Sequence, residues 1–161
     1  MTQAPVSTTK DIAQKVLGCI AQIPSRRLLI GIPAEENPRG DEIGNAALGF
    51  IHEHGSPARN LPARPFLVPG VRDAEAQAVG VLEKPTAEAL TKGVDVLARG
   101  MEKAGLVCQA AVKKRIVSQE GFAPLSPRTI EARQRKGYKG EKALIRTGQL
   151  LNSVTYVVRE A

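Results

Sequence analysis

Four prolines inside a short stretch constrain this chain more than any other feature. In FIHEHGSPARNLPARPFLVPG, residues 50–70, Pro57, Pro62, Pro65 and Pro69 each fix their own φ and push the preceding residue towards extended backbone. A segment so restricted loses little entropy when it is pinned, so it reads as a stiff loop that leaves a helix at Gly55 and re-enters the core through Phe66 and Leu67. Arg59 and Arg64 ride on that frame and are candidates for fixed contacts, with Phe66 as the buried anchor. The 161 residues suit one domain spanning 1–161. With 42% hydrophobic residues but only three Phe, two Tyr and no Trp, the core is expected to be aliphatic and modest.

Around the loop the chain reads mostly as helix. Ile12, Val16, Ile20 and Ile23 recur at helical spacing over residues 9–23, with Thr8 or Thr9 as cap and Pro24 as stop; RRLLIGI then reads as a strand. AEENPRGDE, near 34–42, is an acidic loop that a partner could order. Residues 45–55 favour a short helix over a strand, capped by Asn45 and ended by Gly55. Residues 72–83 look helical, with Pro85 as break or restart. From Thr86 to Ser118, apolar residues from Leu90 to Ala111 keep a spacing of three and four, predicting one long helix. Its Gly93, Gly100 and Gly105 would each cost about 1 kcal/mol against Ala, so they point to close approach of other groups. Ser126-Pro127 is a helix start, with the helix running to about Lys136; Gly137 and Gly140 flank a flexible basic tip near 136–142; Thr147 can cap TGQLLNS; and VTYVVRE, rich in β-branched residues, reads as a strand.

The chemistry-bearing residues are sparse. His52 and His54 would point roughly 200° apart on a helix, so HEH lacks the four-residue spacing that puts two imidazoles on one metal. His52 and Glu53 are better read as structural or interface residues. There is no GxSxG, no phosphate-binding glycine loop, and Cys19 and Cys108 read as buried free thiols, so no enzyme, cofactor or metal is expected. No run of 18 apolar residues occurs and the N-terminal residues are polar, which predicts a soluble protein made in a cytoplasm. Charge is the informative quantity. Between Lys113 and Arg146 ten basic residues stand against three acidic ones, an excess equal to the +7 of the whole chain. Arg133, Arg135, Lys136 and Lys139 gather around Tyr138, a cationic tip suited to an acidic protein surface or to nucleic-acid phosphates.

Four ordered segments carry a resemblance: HEHG at 52–55, PARPF at 62–66, PLSPRTI at 124–130 and LIRTGQL at 144–150. In that order they resemble the small morphogenesis proteins that complete the neck or tail of tailed bacteriophages, over roughly residues 43–159. His54 stands where an aromatic is usual and Arg146 where an Asp is usual. The resemblance implies an α+β fold, a small antiparallel sheet packed with several helices including one long central helix. It also implies a non-enzymatic virion protein in the neck or proximal tail, made in the bacterial host cytoplasm. Such a protein forms a ring, typically hexameric, and its partners are the head-tail connector, tail terminator or tail tube proteins, on the head or the tail side. The alternative is a nonspecific DNA-binding module acting in packaging or ejection of phage DNA.

Overall fold

In the order of the chain, α1 (Val6–Gln22), β1 (Arg26–Gly31), α2 (Asn45–His54), α3 (Leu67–Lys92), α4 (Asp95–Ser118), α5 (Pro127–Arg135), α6 (Gln149–Ser153) and β2 (Thr155–Glu160) make an α+β fold. The computed structural model describes residues 6–34 and 43–160, so the acidic stretch expected as a loop lies, apart from Ala34, outside the described residues. β1 and β2 form a two-stranded antiparallel sheet in which Leu28 faces Val158 and Ile30 faces Tyr156. No helix among the described residues is long and apolar enough to cross a membrane.

The α3–α4 hairpin is the centre of the molecule, and it corrects two expectations. The apolar seam does not belong to one helix: Gly93, at φ +95°, ends α3, and Asp95 starts α4 on the return path. Side-chain periodicity runs through such a turn unchanged, whereas a left-handed φ is invisible to it. Pro85 in turn neither breaks nor restarts α3, which passes straight through it. Proline removes one backbone donor from the ladder, and the Thr86 hydroxyl donates to the Leu82 carbonyl in the same turn at 2.7 Å. Space for the ring comes from α4: a Cβ on Gly100 would sit 2.6 Å from the Pro85 Cβ. Gly70 meets Val112 and Gly105 meets the Tyr156 ring in the same way, so the close approaches expected of helix glycines are present at Gly100 and Gly105.

Two apolar clusters result. Phe66, Val112, Ile116, Leu144, Leu150 and Val154 form the larger, while Ala74, Ala78, Ala104 and Cys108 form a thinner layer under the sheet. Gln119 joins the ends of the larger cluster, donating to the Ala143 carbonyl at 3.0 Å and accepting from the Ala143 N–H at 2.6 Å.

Several local expectations shift. α1 already includes Thr8 and Thr9, so neither is its N-cap, and the apolar stripe is largely uncovered: Ile12 and Leu17 are 58% and 64% exposed. Cys19, on that helix, is only half-buried, in contrast to buried Cys108. Gly44 rather than Asn45 is the N-cap of α2, leaving Asn45 inside the first turn and buried. Gly148 rather than Thr147 precedes α6, with no side-chain cap. Ser126 does cap α5, its hydroxyl accepting from the Thr129 N–H, with Pro127 at the first position.

Candidate functional site

The proline loop is a closed unit. Ser56 and Leu61 exchange backbone hydrogen bonds of 2.9 and 3.0 Å, Asn60 takes a left-handed φ, and the Arg64 N–H donates to the His52 carbonyl at 2.7 Å. Gly55 is required at its start, since a Cβ there would meet the Ala63 backbone nitrogen at 2.8 Å and its φ is +77°. The loop's exit is held by Glu53. Its carboxylate accepts from the N–H groups of Phe66, Leu67 and Val68 at 2.7, 2.9 and 3.0 Å. Those groups open α3, where backbone donors lack helical partners and the helix dipole favours negative charge. Glu53 therefore caps α3 from a neighbouring helix, and Phe66, 1% exposed, drops into the core beside it.

Arg64 joins this unit to the C-terminal third. Only 4% exposed, it donates from Nε to the Ala123 carbonyl at 2.8 Å and from Nη2 to the Pro124 carbonyl at 3.1 Å. Burial lowers its guanidinium pKa from the ordinary value. The chain then enters α5, whose Arg133 turns back on the basic tip: its Nη1 donates to the carbonyls of Gly140 and Lys142 at 3.1 and 2.9 Å. Lys142 donates to the Val117 carbonyl at 2.8 Å, so the tip is tied at both sides. The Arg146 guanidinium lies over the Tyr138 ring, 5.4 Å from its centroid. Arg133's pKa is lowered, first by burial and then by the charges of Arg146 and Arg64.

Between these elements lies a groove of about 560 Å³. Leu48 and His52 of α2, Asn60 to Pro62 of the loop, the start of α5 and the run from Leu144 to Leu150 form its walls, and Arg64, Arg133 and Arg146 supply its charge. Among the described residues, no Asp or Glu lines it. The residues singled out from sequence thus separate. His52, Arg64 and Arg133 line the groove, Tyr138 supports Arg146 at its rim, and Glu53 and Phe66 build the wall behind it. Arg59, Arg135, Lys136 and Lys139 are exposed; Arg59 is not brought into the groove, and Lys136 approaches only a shallow neighbouring depression with Tyr138 and Arg146. Sequence reasoning missed Arg146 and Leu48. Arg146 was visible as a basic residue in LIRTGQL, but its place in the same groove as Arg64 and Arg133 follows only from the tertiary fold. Among the described residues no group of three or more His, Cys, Asp or Glu could hold a metal ion. No protein-family model matches the chain, and no match to it was found among curated proteins or solved structures.

Proposed function

We propose that the chain is a structural virion protein of a tailed bacteriophage or prophage, which completes the neck or tail and joins the head connector to the tail as a subunit of a ring around the DNA channel. One observation carries the reading. The four segments on which the resemblance rests, scattered between His52 and Leu150, all contribute to the walls of a single groove. They therefore act as one structural unit, which favours a shared role over four chance matches. The uncovered Ile12, Leu17 and Ile20 of α1 and Phe50 of α2, 66% exposed, are apolar surface that neighbouring subunits would cover. Partners on this reading are further copies of the chain and the connector, tail terminator or tail tube proteins.

Deletion of the gene from its phage or prophage, followed by electron microscopy of the lysate, tests it. DNA-filled heads and separate tails are expected, with roughly six copies per particle in the complemented phage. A chain absent from mature particles would instead be an assembly chaperone. Joined particles that leak DNA would favour the nonspecific DNA-binding reading.

A further inference from the structure

The groove holds three guanidinium groups and, among the described residues, no carboxylate of its own. Other part-buried arginines of the molecule sit beside carboxylates: Arg115 pairs with Asp73 at 2.8 Å, and Arg26 lies 3.7 Å from both Asp95 and Glu160. Here Arg64 and Arg133 hold only backbone carbonyls, and Arg146 rests on an aromatic ring. Convergent like charges in a partly desolvated cleft are an unfavourable arrangement unless an anion joins them.

We infer that this groove receives an extended, carboxylate-bearing peptide segment of a partner protein, with Arg146 and Arg133 contacting the carboxylates and the leucine and proline walls holding the flanking side chains. Its volume of about 560 Å³ lies within the range of sites that enclose a ligand. Arg146 is suited to the contact because its contact with the Tyr138 ring uses no N–H donor in a hydrogen bond, leaving its fork of donors for a planar carboxylate. Nucleic acid fits less well. Binding of single strands without sequence preference relies on open aromatic faces, whereas among the described residues no Phe, Tyr or Trp ring lines this groove and Tyr138 at its rim has one face occupied by Arg146. The apolar residues Leu48, Leu61, Leu125 and Leu144 give phosphodiester backbone nothing to pair with, yet match the side chains of a peptide. The inference deepens the neck reading by naming the chemistry of a partner contact, although the groove itself exists independently of that reading.

Titration of the ¹⁵N-labelled full chain with the peptide Ac-Glu-Leu-Asp-Pro-Glu-Leu-amide, its Gln/Asn analogue and a dT oligonucleotide tests the assignment by NMR. The acidic peptide should shift the amides of Thr129, Thr147 and Gly148 saturably, and the neutral analogue should bind about tenfold more weakly or worse. R146E and the milder R146Q should weaken the acidic peptide by about tenfold or more, while R135E, outside the groove, stays within about twofold. Unperturbed core amides of Val112 and Ile116 would show that the variants are folded. Equal losses in R146E and R135E would reduce the effect to general surface charge and overturn the inference. So would tighter binding of the oligonucleotide at the same amides, or an absence of groove shifts. Replacing Glu35, Glu36, Asp41 and Glu42 by amides should leave peptide affinity unchanged; a gain of about tenfold would assign the groove to the chain's own acidic stretch instead. In the phage, normal particles from R146E would sink the groove assignment and spare the neck reading, whereas absence of the protein from particles would sink the neck reading and leave the titration standing.

Discussion

Glu53 shows how much one side chain can hold in a fold with so small a core. Its two oxygens accept from three successive N–H groups at the start of α3, so a single carboxylate serves as the cap for a long helix and as the clamp on the proline loop. Charge-assisted bonds of this kind are stronger than neutral ones, and unmaking them leaves donors without partners. Glu53→Gln, which keeps the shape but removes the charge and converts one oxygen to an amide, should destabilise the protein by about 1–3 kcal/mol in thermal melting. An unchanged midpoint would mean that the remaining amide oxygen serves the three N–H groups as well as the carboxylate does. The two thiols offer a contrast of environment. Burial pushes the Cys108 thiol up from its ordinary pKa, while Cys19 lies half-buried on α1. Thiolate is the reactive form, so Ellman's reagent at a mildly alkaline pH should modify Cys19 in the native protein and Cys108 only after denaturation; equal rates would contradict the buried setting of Cys108.

Among the elements, those defined by local chemistry were legible in the sequence and those defined by long-range packing were not. Ser126-Pro127 fixes the start of α5 because a cap and a proline act within one turn, and the β-branched run Thr155–Glu160 forms its strand next to the apolar Leu28 and Ile30. The α3–α4 hairpin escaped because its two cues compete. Pro85 looks like a break but is accommodated by Gly100, on the other helix of the hairpin, whereas Gly93 looks like one more tolerated glycine and is the turn. The glycines themselves can be sorted by experiment. Gly105→Ala would press a Cβ into the Tyr156 ring and should cost about 1–3 kcal/mol, since a packed interface yields only by shifting side chains or backbone. Gly80, also within a helix, has open space where a Cβ would stand, with nothing within 4 Å, and Gly80→Ala should gain roughly 1 kcal/mol from helix propensity. Denaturant midpoints of the two variants should move in opposite directions; movement together would show that helix propensity rather than packing decides both.

For the whole molecule, the prominent feature is what the single chain leaves uncovered. α1 exposes Ile12, Leu17 and Ile20, although their helical spacing reads as a buried stripe; periodicity reports that a face is apolar, not which molecule covers it. The same distinction limited what could be read of the site: Arg64 and Phe66 were legible from the proline spacing, while Arg146 and Leu48 became groove residues only through convergence of distant segments. If α1 is a subunit contact, Leu17→Glu should leave the melting of the isolated chain within about 0.5 kcal/mol of the parent, because an exposed position contributes little to the fold. The same variant should fail to enter particles, as read by mass spectrometry of purified virions. A large fall in the isolated chain's stability would place Leu17 in the fold rather than at an interface. The make-up of the groove also has a bearing on quality control. Its walls are contributed by α2, the proline loop, the start of α5 and the run before α6, so no short segment of the chain carries it and it forms only when these distant segments are brought together. A partner that recognises the groove thereby proofreads the fold, admitting finished subunits and passing over the rest without any separate inspector.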